Sequence, residues 1–347
     1  MILPWHQNAF AKLTQMLEQR HLPQALLITG SEKIGKFELA QRFIQTLLCE
    51  NDSCGECRHC RQLAKDNPRE MLDQSVLVRR SYYPNMVFCR TELRESGKES
   101  KEIRVDQIRA FCDILNKTAD ELQIGVIFYA DQMNVSAANS LLKTLEEPRE
   151  NTLIILLAHN ASALPATILS RCQSVHISPA FDSESVEWLS NHIDREKRSD
   201  FDASQLLESA HGIPFKAVEE LQGDYFLQFQ SWQNHLLEMA MNPAKTIETE
   251  IFEGHELETL VCLQQLITEG IRLKLLKTQG ALLELNKVVS KASSDNLFRL
   301  LDDISRAISL SQNPVNMILL LDNVLIVWSH ITHLKQYPII TIPQETL

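Results

Sequence analysis

Glycine is scarce in this sequence of 347 residues, with 10 in all, and no internal repeat or low-complexity tract is evident. A composition of 44% hydrophobic and 23% charged residues is ordinary for a globular protein. No apolar run reaches the ~18 residues that a bilayer-spanning helix needs. The opening "MILPWHQNAFAKL" lacks a charged region ahead of a long apolar stretch, so no secretory signal is read and a cytoplasmic location is expected. Positive charge is also in deficit. A net charge of −11 argues against binding nucleic acid over the whole surface, and leaves room for a local DNA contact inside a larger basic assembly. The eight cysteines do not spread like a disulfide framework. The histidines are scattered singly, so no Ser-His-Asp or Cys-His nucleophile set can be assembled. At roughly 100–200 residues per domain, two or three domains are expected.

Helical patterns dominate what is there. Three short apolar runs rich in branched residues read as buried parallel strands: "ALLIT" (25–29), "IGVIFYA" (124–130) and "TLIILLA" (152–158). Helical patterns separate them. "FELAQRFIQTLL" puts Phe37, Ala40, Phe43, Ile44 and Leu47 on one face, and "VSAANSLLKTLEEP" runs to Pro148. Alternating strands and helices predict a doubly wound α/β sheet. After "SPAF" (178–181) the strand signals stop. "DSESVEWLSNHI" opens with an N-cap pattern, and "DASQLLESA" and "IPFKAVEEL" follow as short helices around Gly212. From about Asp224 onward only long helical patterns remain, ending in the apolar "PVNMILLLDNVLIVWSHITHL". "RTELRESGKESKEIR" (90–104) reads as a solvated loop, and the stretch 63–84 reads as an insertion without an assigned role.

"GSEKIGKF" (30–37) has the outline of a phosphate loop, with a strand before it and a helix after it. Gly30 and Gly35 would let backbone N–H groups face phosphates, and Lys36 would reach the β- and γ-phosphates. The position that should carry a Mg²⁺-binding hydroxyl is Phe37. The plainer alternative is a strand–turn–helix that happens to contain Gly-Lys. A second position tests the two. Mononucleotide-binding ATPases end a further strand in acids that hold metal and activate water. Here "GVIFYADQMN" offers Phe128 and Tyr129, then Ala130 and Asp131. Both places that would hold magnesium are aromatic, so a silent site is expected.

Cys49, Cys54, Cys57 and Cys60 form C-x4-C-x2-C-x2-C. Four thiolates in one short loop suit a closed, structural Zn²⁺ site; a redox pair and an iron–sulfur cluster are the rival readings. His59, inside the cluster, reads as a surface residue. Cys89, Cys112, Cys172 and Cys262 read as small core residues.

"NSLLKTLEEP" (139–148) followed by "LPATILSRC" (164–172) resembles the clamp-loader branch of the AAA+ superfamily. "PWHQNAFAKL", "PQALLITGSEKIGK", the cysteine cluster and "IRVDQIRAF" (103–111) narrow the likeness to the delta prime family of bacterial DNA polymerase III clamp loaders. The likeness covers most of residues 1–180 and the rest more loosely. It implies an AAA+ type α/β domain over 1–178 with a zinc module at about 49–60, a small helical lid over 179–223, and an all-α collar over 224–347. It implies a non-hydrolysing subunit beside a gamma or tau ATPase and a delta subunit, acting with them on the sliding clamp and primed DNA. Ser170-Arg171-Cys172 matches the family's Ser-Arg-Cys motif, whose Arg is offered in trans to a neighbour's ATP. The other reading of Arg171 is a structural salt bridge. In hydrolysing relatives a lid Gly-x-x-Arg senses the γ-phosphate; here "GIPFKA" has Phe215 at the Arg position and Lys216 next. Asn160 stands near a further sensor position. Weak or absent nucleotide binding by this chain is the expectation. The rival functions are an ATPase with an unusual metal shell, for which Asp131 is the one available acid, and a zinc adaptor of another nucleic-acid machine.

Overall fold

The computed structural model describes residues 2–19, 23–50, 54–65, 78–91, 102–116, 121–195, 202–222, 225–243, 249–277, 283–311 and 315–338. The chain divides into two compact units, Met1–Gln222 and Gly223–Leu347.

The first unit is built on six strands: β1 Ala25–Thr29, β2 Val78–Arg80, β3 Met86–Cys89, β4 Gln123–Ile127, β5 Thr152–Ala158 and β6 Gln173–His176. Their order across the sheet is β2-β3-β4-β5-β1-β6. All neighbours run parallel except the edge pair β2–β3. The expected strands at 25–29 and 152–158 form as read, and both are buried throughout. The third is shorter than expected. β4 stops at Ile127, because Tyr129 takes a left-handed conformation (φ 53°) and Ala130–Gln132 turns as a 3₁₀ helix.

Three strands escaped the sequence reading. β3, "MVFC", is only four residues long. β6, "QSVH", is an edge strand with only Val175 buried, so it carries almost no apolar signal. β2 lies in the stretch 63–84 that read as an insertion; residues 66–77 of that stretch lie outside the described residues. The stretch 90–104 also begins differently from a solvated loop. Arg90 and Thr91 are buried, and the Arg90 carbonyl accepts from Gln107 Nε2 at 2.7 Å. Residues 92–101 lie outside the description.

Both faces of the sheet are covered, as a mostly parallel sheet requires. Strand alternation sorts the side chains. Leu26, Ile28, Val126 and Ile155 join the core that contains the helix Lys36–Leu48. Ala25, Leu27, Ile127 and Ile154 join the core on the other face, with Ile108 and Phe111 of the helix Val105–Leu115 and Leu141 of the helix Val135–Glu146. The other α-helices described in the first unit are Gln7–Glu18, Arg58–Leu63, Ala166–Leu169, Ser183–Arg195, Ala203–Ser209 and Pro214–Gln222.

Five α-helices are described in the second unit: Tyr225–Met241, Glu256–Leu276, Leu283–Lys291, Ser294–Leu310 and Met317–His330. Trp232 and Trp328 are its largest fully buried side chains. Trp328 Nε1 donates to the Leu236 carbonyl at 2.6 Å, which satisfies the one polar atom its burial would otherwise strand. On Met317–His330, Ile318, Leu319 and Ile326 remain exposed. No helix of the described residues is long and apolar enough to cross a membrane.

Gly125 sits in mid-β4, where a side chain would strike Leu115 Cδ1 at 2.7 Å and the Phe111 ring. Gly125→Ala is therefore expected to destabilise the first unit by about 1–3 kcal/mol through overpacking. A lower denaturant midpoint at unchanged slope would register it.

Candidate functional site

The phosphate-like loop leaves β1 at Gly30 and enters the helix Lys36–Leu48 through Gly35. Its backbone needs its glycines. Gly35 has φ 90°, and a Cβ there would meet the His6 ring and the Phe215 ring at 2.9 Å. A Cβ on Gly30 would meet the Ile177 carbonyl oxygen at 2.9 Å.

Lys36 does not point out of the loop. Its ammonium donates to the Gly30 carbonyl at 2.8 Å, the Ser31 carbonyl at 2.7 Å and His159 Nδ1 at 3.0 Å. An ammonium has three donors, and all three are taken by the protein. Burial pulls Lys36 down to about 8, against an upward pull from Asp131. His159 is lowered as well, first by burial and then by the Lys36 charge. It accepts at Nδ1, so it is the neutral tautomer with its proton on Nε2.

Phe37 and Phe128, two of the aromatics read with Tyr129 as standing in place of metal ligands, are in contact. Their ring centroids are 5.1 Å apart, and Phe88 packs on both at 6.0 Å. All three are buried. Hydrocarbon fills the space between the loop helix, β3 and the end of β4. Tyr129 leans on the His159 ring at 5.3 Å. Asp131, the nearest acid in sequence, uses Oδ2 to accept from the backbone N–H groups of His159 and Asn160 at 3.2 and 3.1 Å. Asn160 in turn caps the 3₁₀ turn Ala161–Ala163 by accepting from Ser162 N at 2.9 Å.

A roof that the sequence did not reveal lies over the loop. Trp5 Nε1 and His6 Nε2 both donate to the Ile34 carbonyl, at 2.8 and 3.0 Å. Trp5 packs edge-on against Trp188 at 4.8 Å and Phe215 at 5.6 Å. Phe215 thus covers Gly35 with a ring. Lys216 pairs with Glu220 at 3.5 Å one helical turn away, a structural contact. Lys33 clips the loop to Glu219 at 2.6 Å. The residues of this roof come from positions some 200 apart, and no local pattern links them.

Arg171 lies elsewhere, between the short helix Ala166–Leu169 and the edge strand β6. It is exposed, with Nη2 2.7 Å from Glu146 Oε1 and Nη1 donating to the Thr167 carbonyl at 2.8 Å and to Ser170 Oγ at 3.1 Å. A salt bridge is thus present in the free chain. Cys172 beside it is half-buried, and burial pushes its thiol up to about 11.

The four sulfurs of Cys49, Cys54, Cys57 and Cys60 lie within 4.8 Å of one another. Cys49 Sγ is 3.5 Å from Cys54 Sγ and 3.9 Å from Cys57 Sγ. Four sulfurs on a tetrahedron at the zinc bond length would be about 3.8 Å apart. Backbone N–H groups of Cys54, Cys57 and Cys60 each donate to the sulfur of the preceding cysteine in the set, at 3.1, 3.3 and 3.4 Å. Gln45 Nε2 adds a contact to Cys60 Sγ at 3.4 Å. Such donors suit thiolates, so the donor set fits a metal ion of soft character. The Cys60 N–H lowers the Cys57 thiol, while burial raises Cys60 to about 11. His59 is not in the cluster; its Nδ1 meets the Leu48 carbonyl at 2.7 Å and its ring packs on Tyr83. Cys89, Cys112 and Cys262 are buried, as read.

Comparison with known proteins adds a family. A profile described as "DNA polymerase III, delta subunit" matches residues 5–181. The DNA polymerase III subunit delta′ of Pseudomonas aeruginosa is 32% identical over 222 residues, 62% of this chain and 60% of that protein. The delta′ subunit of Haemophilus influenzae is 27% identical over 232 residues, 65% of this chain and 64% of that protein. The matched region thus spans less than two thirds of either relative's length. A gamma-subunit-related protein of DNA polymerase III from Thermotoga maritima covers 93% of this chain and 99% of that one at 18% identity, with a TM-score of 0.43 that carries no argument.

Two outcomes follow from the geometry. Burial pushes His6 down to about 4, whereas an unfolded His titrates near ~6.5. Between those values the unfolded chain binds more protons, so the contribution is complete above ~6.5 and is lost as pH falls to ~4. The first unit should lose about 3 kcal/mol over that window, and His6→Gln should flatten this limb of a stability–pH curve. Native mass spectrometry should find one metal equivalent bound at the four cysteines. Stripping it with a chelator, or Cys60→Ser, should lower the thermal midpoint.

Proposed function

The chain belongs to the DNA polymerase III delta subunit family, and from that premise we propose that it is a non-hydrolysing clamp-loader subunit that lends Arg171 to a neighbour's ATP. The observation that carries the first half is the loop. Lys36 spends its three donors on Gly30, Ser31 and His159, and Phe37 and Phe128 fill the metal positions. A nucleotide would have to displace the lysine from its partners and lift the Trp5–His6–Phe215 roof, without magnesium to repay the cost. Gly30, Gly35 and Lys36 are then architecture. Asp131 commits Oδ2 to two backbone N–H groups and leaves Oδ1 buried without a hydrogen-bond partner, so the reading of an ATPase with an unusual metal shell has one carboxylate oxygen to call on.

The second half rests on Arg171. A guanidinium is planar, always charged and able to meet two phosphate oxygens at once. Near a transferring phosphoryl group it stabilises the charge that builds there. Arg171, in the motif Ser170-Arg171-Cys172, is exposed at one edge of the sheet, where another molecule has access to it. The proposed neighbour is a gamma or tau ATPase subunit. Delta, the sliding clamp and primer–template DNA are the further partners, and the setting is cytoplasmic.

Residues 1–178 serve as the AAA+ type domain, 179–223 as the lid and 224–347 as the collar. The exposed Ile318, Leu319 and Ile326 support a subunit-facing role for the last of these. At Cys49, Cys54, Cys57 and Cys60 the proposed ion is Zn²⁺. Bound there, it would supply a structural cross-link and no chemistry, since four sulfurs close its coordination.

Arg171→Ala tests the assignment in a reconstituted clamp loader assayed for ATP turnover with clamp and primed DNA. The site served by Arg171 is expected to slow on the order of 10³-fold or more, with a smaller loss in the bulk rate if several sites contribute. The isolated chain should neither bind ATP by calorimetry nor turn it over. Wild-type turnover and loading by the mutant assembly would make Arg171 a structural residue.

A further inference from the structure

Arg171 is already engaged before any partner arrives. Its Nη2 pairs with Glu146 at 2.7 Å, and its Nη1 is shared between the Thr167 carbonyl and Ser170 Oγ. Both terminal nitrogens, the pair that would grip a phosphate, are therefore in use. The side chain is folded back on its own surface, toward the end of the helix Val135–Glu146.

Glu146 is out of place by helix physics. It is the last residue of that helix, with Glu147 as the C-cap. The C-terminus of a helix carries partial negative charge and disfavours carboxylates. Neither helix formation nor core packing accounts for an acid there, because the Glu146 side chain is 48% exposed. What it does touch is Arg171.

The pair also works against a free Arg171. A carboxylate in contact with the guanidinium cancels the charge that a phosphoryl group would meet. The same carboxylate would repel a triphosphate drawn close to Arg171. For Arg171 to act, the pair has to part. Its exposure, 34% for the Arg171 side chain and 48% for Glu146, makes parting cheap, since solvent screens such pairs and leaves them weak.

We propose that Glu146 is an autoinhibitory latch on Arg171. It holds the guanidinium back while the neighbouring nucleotide is distant and yields it when the subunit interface closes on that nucleotide. This rests on the reading of Arg171 as a residue acting in trans. The exchange is between two anions for one cation: Glu146 in the resting chain, the transferring phosphoryl group in the closed assembly. Thr167 and Ser170 retain Nη1 while Nη2 changes partner, so the movement required is a local swing and not a refolding of the motif.

The test is ATP turnover of the reconstituted clamp loader, measured without and with clamp and primed DNA. The chains compared are wild type, Glu146→Gln, Glu146→Ala, Arg171→Ala, and Arg171→Ala combined with Glu146→Gln. The latch should matter most where the interface is loose. Glu146→Gln and Glu146→Ala are expected to raise the unstimulated rate about two- to five-fold, the scale set by a weak exposed pair, and to narrow the ratio of stimulated to unstimulated turnover. The double variant should match Arg171→Ala. A thermal midpoint close to wild type would separate this from a folding effect. Slow turnover in Arg171→Ala together with unchanged or slower turnover in both Glu146 variants would overturn the latch and leave the role of Arg171 standing. A double variant faster than Arg171→Ala would also overturn it, since Glu146 would then act through something else. Wild-type turnover in Arg171→Ala would bring down the trans role and the latch together.

Discussion

Phe37 and Phe128 meet at 5.1 Å at the point where the loop helix and the end of β4 converge. Much of the first unit follows from that contact. Both rings belong to the core that runs through Leu26, Ile28, Phe43 and Val126. Each buried Phe contributes about 1.5–3 kcal/mol, and Phe88 ties the two to β3. A polar side chain at either position would be buried among these rings without a partner, so the core beside the loop depends on both being hydrocarbon.

Lys36, beside these rings, has its role within the loop itself. Lys36 holds the Gly30 and Ser31 carbonyls from inside the turn, doing for the loop what a bound nucleotide does from outside. Holding a charge there is costly, as the downward pull of burial on Lys36 indicates. The cost is offset by three hydrogen bonds and by Asp131. The glycines have equally local reasons. A Cβ on Gly35 would push on His6 and Phe215, and one on Gly30 would strike the Ile177 carbonyl. The spacing of a phosphate loop is thus maintained here by packing constraints that do not require a phosphate.

Sequence reasoning reached the features that are local in the chain. β1 and β5 were readable because they are buried on both faces and so run uninterrupted in apolar residues. The helices Lys36–Leu48 and Val135–Glu146 were readable from their single apolar faces, and the cysteine cluster from its spacing. Phe37 and Phe128 were visible as substitutions, but their contact was not. The missed parts are those in which tertiary partners supply the meaning. β6 is an edge strand with one buried side chain, and its polar sequence gave no strand signal. β2 pairs antiparallel at the other edge and sits beyond a long intervening stretch. The roof over the loop joins Trp5, Trp188 and Phe215, and the Glu146–Arg171 pair joins residues 25 apart on different elements. No periodicity encodes either.

The positions of the two cations in the sheet explain why one is silent and the other is a candidate for exchange. Lys36 follows β1, which has β5 on one side and β6 on the other. It is held by its own loop and by His159 from the turn after β5. Arg171 precedes β6, whose outer edge has no strand beside it among the described residues. Enclosure gives Lys36 fixed partners and a lowered proton affinity. The rim leaves Arg171 solvated and charged, with Glu146 as its one ion-pair partner among the described residues and solvent screening that pair. In a chain with a net charge of −11, any positive contribution to an anionic partner has to be local. The aromatic contacts of Phe37, Phe88 and Phe128 lie in the core beside the loop and do not involve Arg171, so the packing at the centre and the charge at the rim are physically independent.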